Sequence, residues 1–126
     1  MSNRVLFIED EDNVRETISL LLQGAGYVVR TYATGENIFE KISEFKPDLI
    51  LLDIILGDLD GREICRDIKS NPETTHIPVI ILSAVPEIYN TIMDVGANDI
   101  VAKPFEENVL LSRIQRQLFN SRMHQS

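Results

Sequence analysis

The chain has 126 residues, 44% of them hydrophobic and 25% charged, which fits one domain with a core of its own and excludes disordered and collagen-like classes. Its formal net charge of −8 argues against direct binding to nucleic acid or to an anionic membrane, whose phosphates select basic faces. No run approaches the length of a membrane span, and Met1-Ser2-Asn3-Arg4 lacks the apolar stretch of a signal peptide, so a cytoplasmic location is expected.

In chain order, Val5-Leu6-Phe7-Ile8 predicts a strand that runs into Glu9-Asp10. Asp12 and Asn13 are suited to cap a helix with Val14, Ile18, Leu21, Leu22 and Ala25 on one stripe, ended by Gly24 and Gly26. Residues 27–31 read as a second strand. Ile38, Phe39, Ile42 and Phe45 form the next helical stripe, which stops before Pro47. Leu49-Ile50-Leu51-Leu52 then leads into Asp53, and Ile64, Cys65 and Ile68 mark a helix that starts after Gly61 and fades at Asn71-Pro72. Val79-Ile80-Ile81-Leu82 ends at Ser83, and Ile88, Ile92 and Val95 belong to a fourth helix closed by Gly96. Ile100-Val101-Ala102 precedes Lys103-Pro104, and Val109, Leu110, Ile114 and Leu118 define a fifth helix. Cys65, the single cysteine, has no internal disulfide partner and reads as a core or helix-face thiol.

Apolar runs without polar alternation suit strands buried on both faces, as in parallel sheets covered by helices. A strand-helix unit repeated five times predicts a doubly wound α/β fold, a five-stranded parallel sheet in a three-layer sandwich with right-handed crossovers. The domain is expected to span residues 1–119, followed by a polar tail at 120–126. In such sheets ligands sit outside the carboxyl ends of the strands. Glu9, Asp10, Asp53, Ser83 and Lys103 would therefore meet at one edge.

Asp53 lies between apolar runs on both sides, where an ionised carboxylate is costly unless it is paired, hydrogen-bonded or on a metal. A plain turn-capping aspartate is the competing reading of this residue. Glu9 and Asp10 shift the balance if their strand neighbours that of Asp53, because close like charges call for a hard divalent cation. Oxygen-only ligation favours Mg²⁺, with Mn²⁺ as a substitute. Asp10 is expected to ligate first and Glu9 second, leaving Glu11 and Asp12 to complement a helix dipole. Lys103 would bind a phosphoryl oxygen as a point charge and Ser83 would donate a hydrogen bond to one, although each is also an ordinary residue after a strand. Together they suit phosphoryl transfer to an aspartate nucleophile, which needs no general base. His76, in the loop at 71–78, and His124, in the tail, read as solvated.

These motifs resemble the receiver domain of two-component response regulators, over about residues 4–118. Glu9-Asp10 stand as the family's acidic pair, Asp53 stands eight residues before Gly61, Leu82-Ser83-Ala84 carries the hydroxyl, and Gly96-Ala97-Asn98-Asp99 precedes Ala102-Lys103-Pro104-Phe105. The resemblance implies a flavodoxin-like (βα)₅ fold and phosphorylation of Asp53 by a histidine kinase or phosphotransfer domain. It implies Mg²⁺ on Glu9, Asp10, Asp53 and the backbone carbonyl of Ile55. Ser83 and Lys103 would contact the phosphoryl group, with Ser83 and Ile100 at the switch positions. The readout toward a downstream protein target would use residues 87–95, 100–102 and 106–118, in a monomer or a phosphorylation-dependent dimer. The chain would catalyse only its own phosphorylation and dephosphorylation.

Several positions depart from the family pattern. Ile100 replaces the aromatic residue that many relatives rotate on activation, and Gly57 replaces a proline in the loop after Asp53. Ile55 and Val85 are apolar where polar side chains often modulate attacking water, so slow self-dephosphorylation is expected. Tyr89 and Val109 occupy places where transcription-factor relatives carry charges, which weakens that reading and leaves Ile88, Tyr89 and Ile92 as a docking face. Two alternatives stand beside the phosphoacceptor. A phosphate-independent interaction module predicts missing site residues, and a small aspartate-nucleophile phosphatase or nucleotide binder predicts a second acid at position 55 or a glycine-rich loop.

Overall fold

The computed structural model describes residues 3–56, 59–84 and 95–124. Its elements are β1 (Arg4–Ile8), α1 (Asp12–Gly24), β2 (Val28–Tyr32), α2 (Ile38–Phe45), β3 (Leu49–Asp53), β4 (Ile55–Leu56), β5 (Leu59–Asp60), α3 (Gly61–Ser70), β6 (Val79–Ser83), β7 (Asp99–Ala102) and α4 (Glu107–His124). Five parallel strands form one sheet in the order β2-β1-β3-β6-β7, with β1 and β3 as neighbours as the acidic pair required.

Alternate residues of each central strand leave the sheet on opposite faces, as the two-residue period of a strand demands. Leu6, Ile8, Ile50, Leu52, Val79 and Ile81 pack with Ile38, Ile42 and Phe45 of α2 and Ile64, Cys65 and Ile68 of α3. Val5, Phe7, Leu49, Leu51, Ile80 and Leu82 pack with Ile18 and Leu22 of α1 and Leu110, Ile114 and Leu118 of α4. The result is the three-layer, doubly wound α/β fold expected, with residues 5–8 of β1, 49–52 of β3 and 79–82 of β6 unbrokenly apolar because both faces are covered there. Each fully buried Leu, Ile or Phe contributes roughly 1.5–3 kcal/mol by its removal from water.

Some details differ from expectation. Glu11, not Asp12 or Asn13, is the N-cap of α1, and no side chain there makes a capping bond. The edge strand β2 starts one residue later than expected and has exposed positions, since only one of its edges is paired. Ile55 and Leu56 pair antiparallel with Asp60 and Leu59, a small hairpin that the sequence did not announce. The polar tail is helical as far as His124, within α4. Val95 is buried and Gly96 has φ +85°, which fits the end of the expected fourth helix. Gly57, Val85, Ile88, Tyr89 and Ile92 lie outside the described residues. Cys65 is buried and free, and burial pushes its thiol up to about 11, so it is inert core.

Candidate functional site

The parallel register brings the strand ends level. Ile8 pairs with Leu52, Asp53 with Leu82 and Ser83 with Ala102, so Glu9, Asp53, Ser83 and Lys103 emerge at one edge. Glu9 is 1% exposed, Ser83 2% and Asp53 8%, whereas Asp10 is open to solvent. The Lys103 ammonium donates to Asp53 Oδ2 at 2.7 Å and to Glu9 Oε1 at 3.1 Å. One cation thus bridges two buried carboxylates that lie 44 positions apart in sequence, which is why neither carries an unpaired buried charge.

Burial pushes the Glu9 carboxyl up to about 7, helped by the hydrogen bond and negative charge of Asp53 and opposed by Lys103. For Lys103, burial favours the neutral amine, but the Asp53 and Glu9 carboxylates outweigh it and raise the group above its ordinary value. Carboxylate oxygens of Glu9, Asp10 and Asp53 all lie within 4.8 Å of one another. Three acidic groups so close, with oxygen donors only, fit a hard divalent cation such as Mg²⁺. Ile55 follows Asp53 by two residues and opens β4, paired with Asp60.

The surroundings hold this edge in place. Lys103 N–H donates to the Ser83 carbonyl at 2.8 Å, and Ile54 N–H to the Leu82 carbonyl at 3.1 Å. The Lys103–Pro104 peptide is cis. Gly61 packs directly on the backbone after Asp53: a Cβ there would lie 2.3 Å from the Asp53 carbonyl oxygen. Ile100 is half-buried against the cluster on the α2 and α3 side of the sheet.

Sequence reasoning missed Arg15. Its Nη1 donates to the Glu9 carbonyl at 2.8 Å and its Nη2 pairs with Asp12, tying the turn after β1 to α1. An arginine six positions beyond Glu9 on a helix gives no periodic signal for a bond that points backward to a strand end. Sequence reasoning also missed the anchoring of β7. Asp99 accepts from Arg113 at 2.7 Å and from Arg116 at 2.9 Å, both on α4.

The arrangement presents a buried carboxylate beside an ammonium, a hydroxyl at the neighbouring strand end and three carboxylates close enough together that they could hold a metal ion. Among the described residues no helix is long and apolar enough to cross a membrane.

The profile of the response regulator receiver domain matches residues 5–115. The chain is 40% identical over 113 residues to the transcriptional regulatory protein CseB of Streptomyces coelicolor, covering 88% of this chain and 47% of that protein. It spans about half the length of the curated relatives it matches. Among solved structures, a putative response regulator from Chloroflexus aurantiacus aligns with a TM-score of 0.88 and 33% identity, covering 94% of this chain and 98% of that one. The signal receiver domain of a histidine kinase from Syntrophus aciditrophicus aligns with a TM-score of 0.87 and 30% identity, covering 94% and 92%.

Proposed function

We propose, from the premise that this chain belongs to the response regulator receiver domain family, that it accepts a phosphoryl group on Asp53 from a histidine kinase or phosphotransfer domain. The observation that carries this reading is the Lys103 ammonium held between the buried carboxylates of Asp53 and Glu9, with Asp10 beside them.

In the reaction Asp53 Oδ attacks phosphorus, a P–O bond forms, and the P–N bond to the donor imidazole breaks with its electron pair leaving on nitrogen. Asp53 is the nucleophile and needs no base, because a carboxylate paired with an ammonium has no proton to lose as it attacks. Lys103 exchanges part of its contact with Asp53 for a phosphoryl oxygen, and the Ser83 hydroxyl donates to another. Glu9, Asp10, Asp53 and the Ile55 carbonyl would hold Mg²⁺, which when bound neutralises carboxylate and phosphoryl charge during transfer. Because Ser83 ends β6 and Lys103 follows β7, drawing both inward shifts those loops and biases a two-state equilibrium. Ile100, on β7, lies on that route, and residues 100–102 and 106–118 are the described part of the readout face.

The same reading places the receiver unit at residues 1–119 in the cytoplasm, with a protein as its immediate downstream target. CseB is named a transcriptional regulator, and it is about twice as long as the stretch matched. Its name stands against setting aside a transcriptional output because of Tyr89 and Val109. In a longer protein of that kind, contact with DNA would fall to segments other than this acidic one.

Intact mass after incubation with acetyl phosphate and Mg²⁺ tests the proposal. A single phosphoryl adduct is expected that requires Mg²⁺ and is absent in Asp53→Asn. No adduct on folded wild-type protein with several phosphodonors would replace the proposal by a phosphate-independent interaction module.

A further inference from the structure

We infer that Arg15 is a positioning residue for the metal site, setting the direction of Asp10 through the peptide bond between Glu9 and Asp10. This rests on the reading of Glu9, Asp10 and Asp53 as the Mg²⁺ ligands. The Glu9 carbonyl belongs to that peptide bond and takes its hydrogen bond from Arg15 Nη1 at 2.8 Å. On its other side Glu9 N–H donates to the Tyr32 carbonyl at 3.0 Å, and the Glu9 side chain is held by Lys103. With the residue before it held at three points, the backbone of Asp10 leaves the strand in one direction.

Two further observations separate this role from accident. Arg15 stands in the first turns of α1, where a cation opposes the helix dipole, and its i,i+3 pair with the exposed Asp12 is a screened contact that gives the helix little in return. Its side chain is nonetheless only 22% exposed, folded back toward the helix start, with the second arm of the guanidinium on Asp12. A rigid fork that meets a carbonyl and a carboxylate at once suits arginine and not lysine.

Charge and position predict opposite outcomes when Arg15 is removed. As a positive charge near three carboxylates, it repels a divalent cation, so its loss would tighten Mg²⁺ binding. As the group that aims Asp10, its loss weakens binding. Groups that orient metal ligands change metal affinity by roughly ten-fold or more when removed.

The test is an amide-detected NMR titration of the metal-free chain with Mg²⁺, in wild type, Arg15→Gln and Arg15→Lys, with melting temperatures measured without Mg²⁺. A general loss of stability lowers the melting temperature without changing the affinity of molecules that stay folded. Arg15→Gln is expected to bind Mg²⁺ roughly ten-fold more weakly, with Arg15→Lys between it and wild type because an ammonium reaches one acceptor at a time. Binding by Arg15→Gln as tight as wild type, or tighter, overturns the inference and leaves the metal site standing. Should that variant not fold, weaker binding by Arg15→Lys supports the inference and unchanged or tighter binding overturns it. A wild-type chain whose amides do not respond to Mg²⁺ removes the metal reading, and this inference with it.

Discussion

At the residue scale, the chemistry turns on how Glu9 and Asp53 share one cation. The Glu9 carboxyl is pushed up to about 7 by burial and by Asp53, against 4.5 in an open chain. In the metal-free protein the folded state therefore keeps a proton on Glu9, across that interval, which the unfolded chain releases. Stability should fall as pH rises through the interval and level off above it, by on the order of 2 kcal/mol. Urea midpoints from pH 5 to 7.5 without Mg²⁺ check this, and Glu9→Gln should flatten the slope. A wild-type midpoint that is constant or rising over this range would count against the assignment. Gly61 makes a second prediction. A Cβ there meets the Asp53 carbonyl oxygen at 2.3 Å and Ile54 Cα at 2.8 Å, and neither is a flexible side chain that can turn aside. Gly61→Ala should cost roughly 2–3 kcal/mol and lower the phosphoryl adduct, read by denaturation and intact mass.

At the scale of elements, α4 is joined to the sheet by more than its apolar stripe. Asp99, at the start of β7, receives two guanidinium groups from α4 and the N–H of Ile100. Burial alone would raise its carboxyl, but these partners outweigh burial and hold it below the usual aspartate value. Its contribution is present above the ordinary aspartate range and is lost as pH falls through the lowered value. Because both arginines are partly exposed, the ion pairs are screened. Asp99→Ala should therefore lower the melting temperature near pH 7 by only about 3–5 °C, corresponding to about 1 kcal/mol. A change above about 10 °C would mean that Asp99 carries the packing of α4 rather than adding to it. The neighbouring turn is held in a related way: Lys69 donates to Ile77 and Asn98, and Asn98 accepts from Val79 N–H, so α3, β6 and β7 share one polar knot.

At the scale of the whole molecule, the sheet gathers acidic groups at one edge and surrounds Asp53 with apolar sequence. Ile55 and Val85 follow Asp53 and Ser83 by two positions in sequence, where the family resemblance leads one to expect polar residues that modulate attacking water, so the phosphorylated chain should lose its phosphoryl group slowly. An adduct that persists well beyond minutes with Mg²⁺ and no phosphatase is expected, and Ile55→Asn should shorten its lifetime. Decay of the wild-type adduct within minutes would sink the idea. Much of this organisation was legible beforehand, and for a physical reason. Strands buried on both faces have to be apolar without a break, so the runs before Glu9, Asp53, Ser83 and Lys103 marked four strand ends and the groups carried there. The hairpin at Ile55–Leu56, the turn bond from Arg15 and the close approach of Gly61 to Asp53 were not legible, since none follows from a hydrophobic period.

By itself the sequence determined the five strands of the parallel sheet and the described helices, which faces they bury, and which polar residues stand at the strand ends, because burial and backbone geometry act locally and repeat with a period. Only the tertiary structure decided that β1 and β3 lie side by side, that Lys103 reaches both Glu9 and Asp53, and that Arg15 and Gly61 brace the backbone around them. The Lys103 contacts join residues 94 and 50 positions apart and exist only once parallel register has aligned the strand ends, while those of Arg15 and Gly61 span a few positions but depend on where a helix start sits against a strand end.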